Sequence, residues 1–560
     1  MGEGIHQDPV VVKTVSLHGG MADRDAPWVI QDHQAVLIEN MESNKPGQRI
    51  RRRGVESIGA ASSVSTVRAA AGLFPFFDSD LNQDVLMGVW NSRLYMLPGN
   101  SQVIEKASGI SLTQNLHQAS RGVWQTRDAI YINQAQYDYS SVSLASLLMV
   151  YDLFQRSSQH SSMSPRCSTW FQGRLWVGGN SLAEDDSTLW WSGLNDGMNY
   201  SLTNSVRIEP GRGGALTAIV PVRSGTPVLM VFKERLVAKF EMFWGSSSAL
   251  IPGAADALDT IKSNVQVVAD NIGCVATRSV QAVPGAQAGD IFFLAHDGFR
   301  AITRSADDKV AGSSLPISAV IQGTIDRVNF SRIRRATSAV WEQKYHCAVP
   351  LDGALFNTHV LTFDLITNAW FLNTWEAEDL TPCRLRQNAD TMWMQYGALT
   401  TDSVSTGLTQ GWHVFRTFTG SVDPTGVPVK YQEVSKAYTM GTFDARKKFT
   451  WFGIHAYNVT ATCPMLVSIR LDNDIWQAAG TVVIPKAGGT VVILGQTSLP
   501  WAAGPNGMHM QKLGLEDFQP GYMMQVRIGQ TSTTDWSVPT VIQTSVAARF
   551  IDPEFSNEIT

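Results

Sequence analysis

The feature that most constrains the fold is a short unit that returns along most of the chain. In each copy an apolar run leads into a polar turn, and an aromatic-rich apolar run follows, as in VLMGVW-NSR-LYML at residues 85–97. Turns made of Asn, Gly, Asp or charged residues between such runs are typical of β-hairpins. The other copies occupy residues 122–132, 168–179, 228–240, 290–302, 345–371 and 391–418.

The spacing of these hairpins points to a repeated β architecture. Successive copies stand roughly 35 to 60 residues apart, the range of propeller blades that carry insertions. Helical periodicity is nearly absent, and the helix candidates, residues 31–40 and 316–328, are short. We predict an all-β fold whose main part is a β-propeller of about six or seven irregular blades. An elongated array of two-sheet sandwiches is the alternative architecture.

The sequence changes character after the last hairpin. Its apolar runs become longer and alternate with polar residues, as Val467, Ile469 and Leu471 do. This alternation predicts a β-sandwich-like domain with one solvated face, able to pack back on the propeller. We predict an N-terminal segment, residues 1–60, that completes or docks on the propeller. The propeller follows at residues 61–425, with loop insertions at 245–264 and 398–411. The C-terminal domain comprises residues 426–560.

Composition and motifs argue against several classes of function. The net charge is −5, so the chain has no overall basic surplus for nucleic-acid binding. The five cysteines stand far apart without a CxxC pair, which argues against a disulfide framework or a zinc knuckle. Nucleophile-elbow, phosphate-loop and HExxH patterns are absent. We expect no cofactor, no metal and no enzymatic activity.

Some weaker signals have simpler explanations. The loop GRGG at residues 211–214 lacks the Lys-Ser/Thr of a phosphate loop and predicts a tight turn. Asp185 and Asp186 could serve a glycosidase or bind Ca²⁺, but a solvated turn explains them. Trp190 and Trp191 could stack on a sugar, although tryptophans in blade strands belong more often to the core.

Two basic runs are candidate contacts for a partner. They could bind DNA phosphates or an acidic protein surface, and a solvated strand edge explains them equally well. The residues concerned are Arg51, Arg52, Arg53, Arg446, Lys447 and Lys448.

An ordered series of segments resembles one protein family. Residues 16–54, SLHGGMADRDAPWVIQDHQAVLIENMESNKPGQRIRRRG, resemble the N-terminus of tail nozzle proteins of short-tailed bacteriophages. This family is also called tail tubular protein B or phage stabilisation protein. The shared pattern includes a Gly-Gly pair and a short helix ending at Asn40. Further similar segments follow in the same order, at residues 189–200, 215–240, 271–302 and 345–371.

The resemblance implies a structural protein of the virion, synthesised in the host cytoplasm. It implies a homo-hexamer that docks below the tail adaptor and the portal and anchors tail fibres or spikes. It also implies transient passage of double-stranded DNA and contact with the host surface during infection. Since no run of about 18 apolar residues occurs, we expect no membrane span.

One insertion is a candidate gate for the DNA channel. The segment 245–264 is small and apolar, and Leu250, Ile251 and Leu258 are its larger side chains. Six copies meeting on an axis could close a channel, whereas covering a neighbouring subunit's edge is the alternative role. The loops do not align with the family's channel-closing loops, so the resemblance transfers no gate residue.

The main alternative is a carbohydrate-binding or depolymerising propeller, a lectin or a glycan hydrolase. A hydrolase needs two carboxylates about 5 to 10 Å apart in a cleft with stacking aromatics. An ordinary cytosolic propeller scaffold is a third possibility, but the WD and Kelch signatures of that class are missing.

Overall fold

The computed structural model is almost entirely β-structure, and nearly all of its strand pairs are antiparallel. This confirms the predicted all-β class. The structure describes residues 11–16, 19–43, 49–61, 72–78, 82–90, 93–97, 104–107, 117–125, 127–134, 148–152, 157–160, 163–179, 186–223, 227–244, 261–283, 290–302, 315–385, 391–398, 411–424, 426–441, 445–457, 463–484, 509–530 and 540–550.

Five strands precede the repeated part of the chain. They are short, and none of them pairs with its successor except the third with the fourth. They are β1 (Val11–Ser16), β2 (Ala35–Glu39), β3 (Met41–Glu42), β4 (Arg49–Arg51) and β5 (Val55–Ala61).

Seven groups of consecutive strands follow, and we number these strand groups 1 to 7. Within each group, successive strands pair antiparallel. Group 1 contains β6 (Gly72–Asp78), β7 (Gln83–Trp90), β8 (Arg93–Leu97) and β9 (Ile104–Ala107), and group 2 contains β10 (His117–Trp124), β11 (Arg127–Gln134), β12 (Met149–Asp152) and β13 (Ser157–Gln159).

Group 3 contains β14 (Cys167–Phe171), β15 (Arg174–Gly178), β16 (Thr188–Gly193) and β17 (Asp196–Arg207). Group 4 contains β18 (Leu216–Arg223), β19 (Pro227–Lys233), β20 (Leu236–Trp244) and β21 (Ile261–Asp270). Group 5 contains β22 (Gln281–Val283), β23 (Asp290–Ala295) and β24 (Gly298–Ala301); group 6 contains β25 (Thr337–Trp341), β26 (Lys344–Val349), β27 (His359–Asp364) and β28 (Ala369–Asn373); group 7 contains β29 (Asp379–Cys383), β30 (Thr391–Ala398) and β31 (Gly411–Thr417).

The predicted hairpins fall on these groups. The unit at residues 168–179, for example, is the pair β14 and β15, in which Phe171 pairs with Arg174 across the turn. Gln172 and Gly173 have φ values of 53° and 71°, a left-handed conformation that a two-residue hairpin turn requires. The local turn chemistry therefore located the hairpins correctly.

The groups pack on one another through separate apolar clusters. Side chains of groups 1 and 2 form one cluster, and those of groups 2 and 3, 3 and 4, and 4 and 5 form the next three. A larger cluster includes groups 5 and 6, and another joins groups 6 and 7. The last one joins group 7 back to group 1 through Trp393 and Trp90. The first strands of successive groups also lie side by side. β6 contacts β10, β10 contacts β14, and β14 contacts β18, while β29 contacts both β25 and β6.

The chain after group 7 adds seven strands, of which two pair with N-terminal strands and the other five pair within this set. They are β32 (Gln432–Tyr438), β33 (Lys447–Tyr457), β34 (Cys463–Leu471), β35 (Gln477–Ile484), β36 (His509–Gly514), β37 (Met524–Gln530) and β38 (Thr540–Phe550).

Two large sheets result, and we call them the terminal sheets. One has the order β3-β4-β38-β33-β36, with β1 also paired to β38. In the other, β2-β32-β37-β34-β35 continue the sheet of group 6, because β2 pairs with β28 on one side and with β32 on the other. Apolar side chains of both sheets belong to the same cluster, including Phe452 and Val546 from one and Val467 and Val526 from the other.

The strand β5 leaves the other N-terminal strands and completes group 7. It pairs antiparallel with β31, from Thr417 with Val55 to Trp412 with Ala61. The N-terminal segment, residues 1–60, therefore serves two parts of the molecule, since β1 to β4 belong to the terminal sheets and β5 to group 7.

The predicted helix at residues 31–40 is wrong. Its apolar residues form β2, in which Ile38 is fully buried and pairs with Glu433 of β32. Pairing with a strand almost 400 residues away overrode the local pattern. The helix expected at 316–328 is confirmed in a short form, as a 3-10 turn at Ala319–Ile321 followed by the helix α1 (Gln322–Asp326). In the described residues, no helix has the length and apolar character needed to cross a membrane.

Both predicted insertions connect paired strands. Trp244 pairs with Ile261 and Ala398 with Gly411, so each insertion is the loop of a β-hairpin. The first begins after Trp244 as predicted but ends sooner, because residues 261–264 belong to β21.

Candidate functional site

The site with the most convergent chemistry is a cavity between the first strands of the groups. One part, of about 320 Å³, is lined by β6, β10, β25 and β29 and by a 3-10 turn at Thr277–Ser279. An adjoining part, of about 300 Å³, is lined by β10, β14, β18 and the same turn. Gln118, Arg121 and Thr277 belong to both linings.

The carboxylate of Asp379 joins four elements beside this cavity. Asp379 begins β29 and is 2% exposed. Its Oδ1 accepts a hydrogen bond from the Thr337 hydroxyl of β25 at 2.8 Å and forms an ion pair with Arg278 of the turn. Its Oδ2 accepts from the backbone N–H of Leu73 in β6 at 2.5 Å. Because charge-assisted hydrogen bonds are the stronger kind, one acid here binds groups 1, 6 and 7 and the start of group 5 together.

Arg278 is the buried cation of the same cluster. Its side chain is 8% exposed, and Nη2 donates to the Thr337 hydroxyl at 2.9 Å. The buried Nη1 has no hydrogen-bond partner among the described residues. Burial lowers the pKa of Arg278 to about 9, against the opposing attraction of Glu378. The guanidinium therefore stays charged at neutral pH.

Small polar side chains fill the wall between groups 2 and 3. The Ser168 hydroxyl donates to Asn133 Oδ1 at 2.6 Å and lies 2.8 Å from the Ser120 hydroxyl. The backbone N–H of Ser168 donates to Gln118 Oε1 at 3.2 Å. These contacts satisfy the polar groups by joining neighbouring strand groups. No histidine lines the cavity in the described part of the chain, so no described base stands beside the serine hydroxyls.

Among the described residues, the lining of this cavity has no pair of carboxylates such as a glycoside hydrolase uses. Asp379 is the one carboxylate that lines the cavity in the described ranges, and it already accepts hydrogen bonds from Leu73, Leu380 and Thr337. A second carboxylate about 5 to 10 Å away would be needed. The described residues also contain no group of three or more His, Cys, Asp or Glu side chains placed to hold a metal ion.

The first basic run is mostly internal. Arg51 and Arg52 are 2% and 0% exposed, whereas Arg53 is exposed. Arg52 Nε donates to Asn40 Oδ1 at 2.8 Å, and its Nη2 contacts Asp423 Oδ1 at 2.7 Å. A solvent-facing placement is therefore wrong for Arg51 and Arg52, because both side chains are buried in the folded chain, and within this run only Arg53 remains a candidate partner contact.

The second basic run holds a neighbouring loop. Lys447 is buried and its Nζ donates to the carbonyl of Tyr522 at 3.0 Å, while the half-buried Lys448 donates to the carbonyl of Phe518. Arg446 is exposed and donates to the carbonyl of Pro520 at 3.0 Å. Arg446 thus remains accessible for a partner, whereas Lys447 is not.

The candidate gate residues Leu250, Ile251 and Leu258 lie outside the described residues, as does Asp185. Other signals resolve in favour of the simpler explanations. Trp191 is 4% exposed in the core, and Gly211 lies in a turn before β18 with φ 74°.

Sequence reasoning missed Arg278 and Asp379. Arg278 is the one charged residue of CVATRSV, and Asp379 follows Glu378 at the start of EDLTPC. A charge inside a buried segment needs a partner, and that requirement is the signal that could have linked them.

Comparison with protein-family models gives no match for this chain, and comparison with curated proteins gives none either.

Proposed function

We propose that the chain is a structural virion protein, the hexameric tail nozzle of a short-tailed bacteriophage. In this role it forms the distal DNA channel, docks below the adaptor and portal, and anchors fibres or spikes. The proposal depends mainly on one observation: segments that resemble the nozzle family, in the same order along the chain, coincide with successive strand groups. Segments 215–240, 271–302 and 345–371 coincide with consecutive parts of groups 4, 5 and 6.

The proposal includes a closed propeller made of strand groups 1 to 7. Its support is the cycle of apolar clusters, which returns from group 7 to group 1, and the contact of β29 with β6. The pairing of β5 with β31 adds to it, because a strand from the chain start that completes the last blade fastens a ring. Closure also leaves few exposed strand edges.

The DNA channel of such a nozzle must lie between chains. The major groove alone of B-DNA is about 12 Å wide and 8.5 Å deep. The cavity inside one chain, with parts of about 320 and 300 Å³, is too small for a duplex. A ring of subunits is therefore required, and closed rings are the expected result of head-to-tail interfaces.

The alternative, a carbohydrate-active propeller, has less support. In the described part of the chain the cavity offers one carboxylate, which already accepts several hydrogen bonds, and the tryptophans of group 3 are largely core residues. Neither arrangement favours sugar hydrolysis at this place.

Electron microscopy and light scattering of the full chain mixed with its adaptor test the proposal. We expect a six-fold ring with a central pore, whose nozzle part has six times the chain mass of 61.3 kDa, about 370 kDa. A strict monomer in that mixture contradicts the nozzle. Cleavage of host polysaccharide by the purified chain would support the alternative.

A further inference from the structure

We propose that two arginines on the outer face of a terminal sheet bind an acidic segment of a protein partner. The inference goes beyond the proposed function and does not depend on it. The arginines are Arg470 of β34 and Arg527 of β37, and both guanidinium groups stack on the indole ring of Trp476. Their Cζ atoms lie 5.0 and 4.8 Å from the ring centroid. We call these three residues the arginine patch.

The strand register places both arginines on one face of the sheet. Arg470 lies opposite Gln525, which is two residues from Arg527 in β37, so the two arginines are diagonal neighbours. Ile469 and Val526 point to the other face and belong to the apolar cluster of the terminal sheets. The arginine patch therefore lies on the face turned away from this core.

The arginine patch has hydrogen-bond donors that reach solvent and have no acceptor. In the part of the chain that the structure describes, Arg527 forms no hydrogen bond and no ion pair, and none of its nitrogen atoms is buried. Arg470 uses Nη2 to donate to Gln525 Oε1, while its Nη1 is accessible and has no acceptor. Both side chains are half-buried against Trp476, so their guanidinium groups need little ordering when an anion binds.

The acids of the adjoining hairpin turn do not pair with these arginines. Asp472 directs Oδ1 to two backbone N–H groups just before β37, which donate to it at 2.8 and 2.9 Å. Asp474 of the same turn is exposed. Among the described residues, no carboxylate forms an ion pair with Arg470 or Arg527. Because two positive charges lie beside one ring, a carboxylate brought to the patch is attracted by both, and the planar fork of a guanidinium matches its two oxygen atoms.

Exposed apolar side chains border the arginine patch and favour a protein as its partner. Leu466 shares the outer face of β34 and is 37% exposed, and Ile475, next to Trp476, is 72% exposed. Tryptophan and arginine are also the residues most enriched where the binding energy of protein interfaces concentrates. A single-stranded nucleic acid would stack its bases on a free aromatic ring, whereas two guanidinium groups already contact Trp476. The segment that fits therefore carries carboxylates beside apolar side chains.

The test measures binding of a short fluorescent peptide of alternating Glu and Leu to the full chain by fluorescence anisotropy. A second peptide has Gln in place of each Glu, and labelled oligothymidine tests for nucleic acid. The wild-type chain should bind the Glu peptide at least about tenfold more tightly than either of the other two, a difference of about 1.4 kcal/mol.

Two variants show whether the arginine patch is responsible. Arg527→Gln should weaken binding of the Glu peptide at least about tenfold, with little change in the unfolding midpoint, because Arg527 forms no hydrogen bond in the described structure. The matched control is Lys512→Gln, which removes a cation stacked on another tryptophan of the terminal sheets, Trp451, at 4.3 Å. It should bind like wild type. The proposal is overturned if the Gln peptide binds as tightly as the Glu peptide, if Arg527→Gln keeps wild-type affinity, or if oligothymidine binds more tightly than the Glu peptide.

Discussion

Strand groups 1 to 7 and the terminal sheets are both β-structures, yet the chain builds them in opposite ways. Within a strand group each strand pairs with its neighbour in sequence, as β10 does with β11. The terminal sheets also contain pairs between strands from the two ends of the chain, so that Val11 lies opposite Ala548. Local pairing is specified by turn residues, whereas distant pairing is specified only by complementary faces and buried partners.

The two regions also use buried charge differently. In the strand groups, Asp379 and Arg278 connect neighbouring elements around a cavity. In the terminal sheets, Arg49 of β4 pairs with Glu433 of β32 at 3.1 Å, with 0% and 5% of the side chains exposed. This pair joins the two sheets and the two ends of the chain. Buried ion pairs specify a geometry more clearly than they add stability.

Deletion of residues 1–43 should separate the two regions most strongly. It removes β1 to β3, so that β2 no longer links β28 to β32. We expect residues 432–550 to lose most of the roughly 5–15 kcal/mol that stabilises a folded domain, while strand groups 1 to 5 stay protected. Hydrogen exchange followed by mass spectrometry measures both. Equal loss of protection in both regions would show that the terminal sheets and strand groups 1 to 5 unfold as one unit.

Breaking the Arg49–Glu433 pair should have the next largest effect. Arg49→Met leaves Glu433 buried without its cation, which costs about 3–5 kcal/mol. Burial already raises the pKa of Glu433, with Arg49 opposing that shift. The double variant Arg49→Met with Glu433→Leu should recover most of the loss, as seen in urea unfolding midpoints. If the double variant is as unstable as Arg49→Met alone, the buried charge of Glu433 is not the cause of the loss, and the Arg49–Glu433 pair does more than fix the geometry.

Acid pH should weaken strand group 6 through His346. The side chain is fully buried in β26, and desolvation lowers its pKa to about 3. With an unfolded pKa near 6.5, the unfolded chain binds the extra proton between about pH 6.5 and 3. Stability is therefore complete above pH 6.5 and decreases as pH falls through this window, by roughly 2 kcal/mol at pH 5. In His346→Gln the unfolding free energy should depend less on pH in this window. An unchanged dependence on pH would show that His346 is not its cause.

The smallest effects are expected at the exposed members of the two basic runs. Arg53→Ala and Arg446→Ala should each change the unfolding free energy by less than about 0.5 kcal/mol. The matched comparisons are Arg52→Met and Lys447→Met, which remove buried cations from the same runs and should cost about 1–3 kcal/mol or more. Thermal unfolding of the four variants side by side provides the measurement. Similar losses in all four variants would mean that exposure of a basic side chain does not determine its contribution to stability in these two runs.

The sequence predicted the strand groups because their information is local. The turn at Gln172 and Gly173 adopts the backbone that its residues favour, and the flanking apolar runs fix the strands. A helix was wrongly predicted at residues 31–40, because strand β2 forms by pairing with Glu433 and Val434 of β32, which lie far outside the local sequence. Propensity is a weak guide wherever the partner strand is distant.

The site shows the same limit. Arg51 and Arg52 look exposed because they stand in a run of charges, but the acceptors for Arg52, Asn40 and Asp423, come from opposite parts of the chain. Trp375 also lies under the Arg52 guanidinium at 4.4 Å from its ring centroid. Only the folded chain brings such partners together, so burial of these charges could not be predicted from their spacing.

The pairing of β5 with β31 and of β1 with β38 has a consequence for biosynthesis. The first strands leave the ribosome long before their partners exist, and at about 5–20 residues per second the chain from β5 to β38 takes roughly 25 to 100 s to make. During that interval β1 waits for β38, while β2 and β5 wait for β32 and β31, and the strand groups can form as they emerge. The N-terminal strands are therefore the described part of the nascent chain that waits longest for its pairing partners, and chaperone binding is expected there first.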